Sequence, residues 1–344
     1  MGNPYTLTFG KEPINMISRN SQLNEITSTF DDTLPSQQVY MVTGVRGAGK
    51  TVFMTEVSDI MRKKHEWIVL ELSPEKDMLN SLVAKLSSES EFATIFKNAK
   101  INLSFWGFGL EVTGAAPISD LEVAATKMIE SLAKHGKKVL ITVDEVATTQ
   151  HMREFASTFQ ILLRRNLPVF LIMTGLYDNI NRLQNEKTLT FLYRAPKIEL
   201  KPLNISSIAE NYKQIKGIDE ASALQAAKST RGYSFAFQVI GHFLWDNGGE
   251  FEKALAESRQ YLEDYSYEKI WSELSNIDRQ VLHAVASVKG GRIAAIREML
   301  NLDTNHFNPY RNRLIKKGLL DGSTRGYLRF TLPFFEDYTM VMWE

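Results

Sequence analysis

The residues Gly44-Val-Arg-Gly-Ala-Gly-Lys-Thr51 have types and spacing suited to the capture of a polyphosphate. Glycines adopt backbone conformations closed to other residues, so successive N–H groups can turn toward phosphate oxygens. Lys50 offers positive charge to the β- and γ-phosphates, and the Thr51 hydroxyl suits Mg²⁺. The same pattern also occurs as a plain strand-to-helix turn. What favours the phosphate reading is its setting, because the apolar β-type run Tyr40-Met-Val-Thr43 leads straight into it. The expected cradle is Gly44, Val45, Arg46, Gly47, Ala48, Gly49, Lys50, Thr51 and Val52, with a nucleoside triphosphate as ligand and Mg²⁺ as its ion.

A second group complements the first. Lys137-Lys-Val-Leu-Ile-Thr-Val-Asp-Glu145 is a continuously apolar run ending in two carboxylates, the pattern of a buried parallel strand followed by an acidic pair. Asp144 is expected to hold Mg²⁺ through water, and Glu145 to orient or deprotonate an attacking water. An acidic pair after a strand is commonly a turn, but downstream of Gly44–Thr51 the Walker B reading takes precedence. An Mg-dependent ATPase follows as the expected activity.

These groups need a scaffold. Besides the runs at 40–43 and 137–145, Trp67–Leu72, Leu167–Gly175 and Lys197–Leu200 read as strands, separated by helical patterns that include 152–165. Such alternation predicts an α/β P-loop domain with a parallel sheet covered on both faces. The stretch 101–114, with alternating apolar residues and paired glycines, reads as a β-hairpin insertion whose aromatics either pack on the body or form a partner-binding patch. From 203 to 265 the pattern is helical, as in a small lid. The expected domains are 1–202 (ATPase), 203–268 (helical lid) and 269–344 (winged helix).

Composition narrows the class further. In 344 residues, 40 Lys+Arg balance 40 Asp+Glu, so overall charge predicts neither a nucleic-acid nor a membrane partner, and any basic surface must be local. The absence of cysteine excludes a disulfide framework and a thiolate metal site. No run approaches the ~18 apolar residues of a membrane span, and the first residues lack a signal-peptide layout, so a cytoplasmic location is expected.

The last part of the chain changes character. Helices are expected at 275–287, at 292–300, and from Asn308 as N-cap with Pro309 in the first turn to Lys317. Two strands follow around a glycine-bearing turn at 319–332, giving a winged helix-turn-helix. Between Lys289 and Arg329 stand nine basic residues (Lys289, Arg292, Arg297, Arg311, Arg313, Lys316, Lys317, Arg325, Arg329) against three acidic ones (Glu298, Asp303, Asp321). A basic third helix and wing suit duplex DNA. Asn305, His306, Asn308 and Asn312 are candidates for base edges, and Arg311, Arg313, Lys316 and Arg325 for phosphates. The same module could equally serve packing or a protein partner.

With these motifs placed, the chain resembles AAA+-type P-loop ATPases of the group that includes origin-recognition initiators, archaeal-type ATPases and STAND signalling ATPases. It also resembles bacterial ATP-binding proteins whose N-terminus reads like Asn3-Pro4-Tyr5, Phe9-Gly10, Pro13 and Arg19 here. The resemblance implies that 14–24, with Ile17 and Arg19, covers the adenine, although Ser18 stands where a glycine is usual. It implies a sensor-1 role for Thr174, an arginine finger acting on a neighbouring subunit for Arg194, and a sensor-2 contact for Arg231, although a proline is usual near Ser234. Two functions fit it: a switch coupling nucleotide state to DNA binding, or a STAND-like regulatory or defence ATPase whose winged helix binds protein and whose nucleotide state controls homo-oligomerisation.

Overall fold

A computed structural model describes residues 2–8, 13–187 and 189–343, so Phe9 and Gly10 of the N-terminal motif lie outside the described residues. The chain divides into two compact units. One, the sheet unit, comprises 20–43 and 53–199; the other, the helical unit, comprises 1–19, 44–52 and 200–344.

In the sheet unit, α1 (Asn20–Asp31) precedes β1 (Val39–Thr43). Helix α2 (Lys50–Arg62) begins in the helical unit and continues here from Phe53. Next come β2 (Trp67–Leu72), α3 (Met78–Ser88), α4 (Ala93–Asn98), α5 (Leu121–Lys134), β3 (Lys138–Val143), α6 (Gln150–Arg164), β4 (Val169–Gly175), α7 (Tyr177–Gln184) and β5 (Lys197–Glu199). The five strands form one parallel sheet in the order β2-β3-β4-β1-β5. Every residue of β1 and β4 is buried, as a sheet covered on both faces requires. Leu82, Leu86, Met128, Leu132, Phe155 and Phe159 share a core with Met41, Ile141, Leu171 and Met173. Phe30 of α1 packs against Phe170 and Trp67 in an aromatic cluster with centroid spacings of 4.8 and 6.2 Å. The register Val42↔Thr174 and Val143↔Met173 brings the carboxyl ends of β1, β4 and β3 side by side, where ligands bind in open α/β sheets.

Residues 101–114 form no hairpin. One backbone pair, Leu103 N–H to Leu110 C=O (2.7 Å), bridges the segment in place of a ladder, and 104–106 is a single 3₁₀ turn. Left-handed Gly107, Gly109 and Gly114 curl the chain instead of letting it pair, and the Asn102 side chain donates to the Ala115 carbonyl at 2.8 Å, satisfying backbone that a ladder would otherwise use. Ile101, Leu103 and Leu110 are buried, the Trp106 indole donates to the Ile118 carbonyl, and Phe105 is exposed.

The helical unit contains α8 (Ile205–Tyr212), α9 (Glu220–Ser229), α10 (Ser234–Asp246) and α11 (Phe251–Leu262), a π-turn at Glu263–Tyr267, and α12 (Glu268–Ser272). The N-terminal segment of residues 3–7 is bound into it. Tyr5 is buried with its hydroxyl donating to Asn211 Oδ1 at 2.7 Å, and its ring lies where a side chain on Gly241 of α10 would stand. The C-terminal module is α13 (Asn276–Ser287), α14 (Ile293–Leu300), α15 (Thr304–Lys316), the antiparallel pair β6 (Leu320–Asp321) and β7 (Arg329–Phe330), and α16 (Phe335–Trp343). Helix, helix, helix, hairpin is the expected winged-helix order; α16 was not anticipated. The third helix starts earlier than expected. Asp303, not Asn308, is its N-cap, accepting from the His306 N–H at 2.9 Å. Pro309 stands inside the helix. The completely buried Phe307 explains the difference, since it needs the helix to begin before residue 308 to reach the core.

Candidate nucleotide site

The loop Gly44–Gly49 reaches α2 with left-handed backbone at Gly47 (φ 75°) and Gly49 (φ 86°), so α2 opens at Lys50 with its first amides at the loop's end. Its carbonyls are held one by one. Lys50 Nζ donates to the Gly44 and Val45 carbonyls, each at 3.1 Å. The Tyr233 hydroxyl donates to the Arg46 carbonyl at 2.7 Å, the Phe235 N–H to the Gly47 carbonyl at 3.1 Å, and the Ser234 hydroxyl to the Ala48 carbonyl at 3.0 Å. Arg19 Nη2 also donates to the Ala48 carbonyl (3.1 Å) and to Ser234 Oγ (3.1 Å). The Arg46 side chain extends to Glu273, just ahead of the winged helix, in an ion pair of 2.9 Å.

In the sheet unit, Asp144 and Glu145 follow β3, and Thr174, completely buried, stands on β4. The Thr174 hydroxyl donates to Asp144 Oδ1 and accepts the Glu145 N–H at 3.2 Å; that N–H also reaches Asp144 Oδ1 at 3.0 Å. The next residue, Val146, donates its N–H to the Thr174 carbonyl at 2.9 Å, closing the turn. Glu145 itself is exposed with φ 49°, a left-handed conformation costing a non-glycine residue about 1 kcal/mol. Thr174 thus fixes the direction of both carboxylate-bearing residues. Arg194 is exposed at the end of the 3₁₀ turn before β5.

Arg231 is engaged elsewhere. Held at φ 50°, it donates to the Phe330 and Leu332 carbonyls at 2.9 and 3.3 Å, tying the turn before α10 to the end of the wing. Its near neighbours, Tyr233 to Phe235, are the residues that meet the P-loop.

On the winged helix, Asn312, Lys316 and Arg325 are exposed, and Asn308 and Arg311 are half-buried. Arg313 is turned inward: its Nε and Nη2 reach Oδ1 of the buried Asp278 at 3.0 and 2.6 Å, and its guanidinium lies 5.2 Å from the centre of the Tyr310 ring. Asp303 keeps its carboxyl below the usual aspartate range because the His306 backbone N–H and side chain bond to it.

Residues 264–339 match a family described as a domain of unknown function (DUF8462). No curated protein matches the chain. Among solved structures, the Walker-type ATPase PABY2304 of Pyrococcus abyssi is similar over 92% of this chain and 94% of that one, with a TM-score of 0.61 at 17% identity. The Aeropyrum pernix ORC2 protein, in its ADPNP–ADP complexes, aligns over 97% of this chain and 95% of its own, with a TM-score of 0.59 at 14% identity. This chain has the fold of an AAA+-type P-loop ATPase with a C-terminal winged helix. Among the described residues, no helix is long and apolar enough to cross a membrane.

Sequence patterns single out the P-loop, the acidic pair and Thr174, but give no sign of the partners that hold the loop. Tyr233, Ser234 and Glu273 lie about 190 to 230 positions from the glycines they serve. The available signal is Thr230-Arg-Gly-Tyr-Ser-Phe235, where Gly232 (φ 74°) turns the chain into α10.

Proposed function

We propose that the protein is an ATP-binding, slowly hydrolysing molecular switch that couples its nucleotide state to binding of double-stranded DNA through the winged helix. The single observation that supports it best is the P-loop of Gly44–Thr51, whose carbonyls from Gly44 to Ala48 are each held by a partner, which sets the direction of the Gly47 and Gly49 amides. Such a loop at the start of α2 suits a triphosphate. In this reading Lys50 neutralises the β/γ-phosphates and Glu145 handles the attacking water. Thr174 keeps the Asp144–Glu145 turn in register, and Arg194 is the finger offered to a neighbouring copy. Thr51 and Asp144 are the residues that would hold Mg²⁺, a hydroxyl and a carboxylate being oxygen donors of the kind this ion takes. When bound, the ion offsets charge developing on the transferred phosphoryl group.

The domains in this reading are 1–202, 203–268 and 269–344, with Asn308, Arg311, Asn312, Lys316 and Arg325 meeting DNA. One observation favours the second reading, a STAND-like ATPase that oligomerises or binds protein. Arg313 spends its charge on Asp278, and α16 exposes Val341, Met342 and Trp343. Binding to duplex DNA with no nucleotide, ADP or a non-hydrolysable ATP analogue, across a salt series and with the mass recorded in each state, separates the two. Nucleotide-dependent binding that weakens steeply with salt supports the DNA switch. A nucleotide-dependent mass without DNA binding supports the STAND-like reading.

A further inference from the structure

We infer that Tyr233 and Ser234, at the start of α10, with Arg19 beside them, act as positioning residues for the nucleotide: they hold P-loop carbonyls back and thereby aim the Gly47 and Gly49 amides at the phosphates. This rests on the P-loop being the ATP site.

In a planar trans peptide the C=O and the following N–H point in opposite directions. Fixing the Arg46 carbonyl therefore fixes the Gly47 N–H, and fixing the Ala48 carbonyl fixes the Gly49 N–H. The first is held by Tyr233 at 2.7 Å, and the second by Ser234 at 3.0 Å and Arg19 at 3.1 Å. Between them the Gly47 carbonyl accepts the Phe235 N–H at 3.1 Å. Three consecutive loop carbonyls are thus gripped by three consecutive residues of another segment.

The proton inventory at Tyr233 gives its hydroxyl one arrangement. A carbonyl only accepts, so the phenol proton goes to Arg46; the Ser266 hydroxyl, 2.9 Å away, must donate to the phenol oxygen. Burial also pushes the Tyr233 hydroxyl well above the ordinary phenol range, so it stays a donor. Ser266 belongs to the π-turn Glu263–Tyr267, and the adjacent Tyr267 hydroxyl donates to the Pro333 carbonyl at the end of the wing. The grip is therefore anchored in the C-terminal module.

The sequence of the loop carries the imprint of this grip. A Cβ on Gly47 would stand 2.3 Å from the Tyr233 hydroxyl and 2.9 Å from Phe235 Cβ, and φ 75° disfavours any side chain there. Gly47 is required by Tyr233 and Phe235 as much as by phosphate.

The test uses the full chain with Tyr233→Phe, Ser234→Ala and Ser234→Thr. Kd for Mg-ADP and Mg-ATP is measured by titration calorimetry, and amide hydrogen exchange over 46–50 is followed without nucleotide. Loss of one aligned hydrogen bond is expected to weaken both nucleotides about 3- to 10-fold in Y233F and S234A. Ser234→Thr, which keeps the hydroxyl, should restore affinity. Exchange over 46–50 should quicken in the two weakened variants while their melting temperatures without nucleotide stay close to wild type. Unchanged Kd and unchanged exchange in both variants overturn the proposal. A wild type that binds neither nucleotide refutes the ATP reading instead, and the exchange measurement, which needs no ligand, still judges the grip. If Y233F is less stable, the Ser234 pair decides.

Discussion

Replacing Arg313 with methionine should loosen the winged helix from within, and the structure sets the size of the effect. Asp278 is 1% exposed, and its Oδ1 accepts both Arg313 Nε at 3.0 Å and Nη2 at 2.6 Å. Methionine keeps much of the side-chain volume and removes the charge, leaving a buried carboxylate without its cation. Breaking a fully buried pair costs about 3–5 kcal/mol, and because the Arg313 side chain is 36% exposed the lower end, about 3 kcal/mol, applies here. Amides of α13 and α15 that exchange by opening of this module should then exchange about 150-fold faster, at about 1.4 kcal/mol per tenfold. The assay is hydrogen–deuterium exchange read by mass spectrometry over 276–287 and 304–316. Asp278→Asn combined with Arg313→Met leaves no charge to strand, so the double variant should recover most of the protection. Exchange in R313M within threefold of wild type would refute the reasoning. It would leave Arg313 available for a phosphate, in which case DNA affinity, not exchange, would fall.

Three further outcomes are expected. Glu145→Gln should bind ATP with wild-type affinity and turn it over at least about 100-fold more slowly in a steady-state phosphate-release assay, because the amide cannot accept a proton from water. Gly47→Ala should abolish nucleotide binding measured by calorimetry, since its methyl would collide with the Tyr233 hydroxyl in a conformation that alanine resists. Removing Lys316 or Arg325 should lower DNA affinity across all sequences and reduce the salt slope by about one each in a fluorescence-anisotropy series.

The sheet was legible because β1, β3 and β4 are buried on both faces and read as unbroken apolar runs, bounded by residues that carry the chemistry. The winged helix was legible from its caps and glycines, though not in detail. Asn308-Pro309 has the residue types of a helix start, and only the demand to bury Phe307 reveals that Asp303 takes that role. Alternation at 101–114 mimicked a strand because Ile101, Leu103 and Leu110 are buried, while the left-handed glycines that prevent pairing act through backbone geometry. The sequence resemblance points Arg231 to the nucleotide, and the basic third helix points Arg313 to a DNA phosphate; the contacts they make within the chain, to the Phe330 and Leu332 carbonyls and the Asp278 carboxylate, are 99, 101 and 35 positions away and cannot be inferred from neighbouring residues. The loop grip was out of reach for the same reason. It is a tertiary contact between a motif that is easily recognised and a tyrosine and serine that, read alone, mark nothing.

The central claim is that Gly44–Thr51 binds a nucleoside triphosphate through Lys50. Titration of Mg-ATP into the wild type and Lys50→Ala, with a melting curve of each without ligand, tests it most directly. Saturable binding by the wild type, and none by a Lys50→Ala protein that melts like it, is the predicted result; equal binding by both, or none by either, would contradict it.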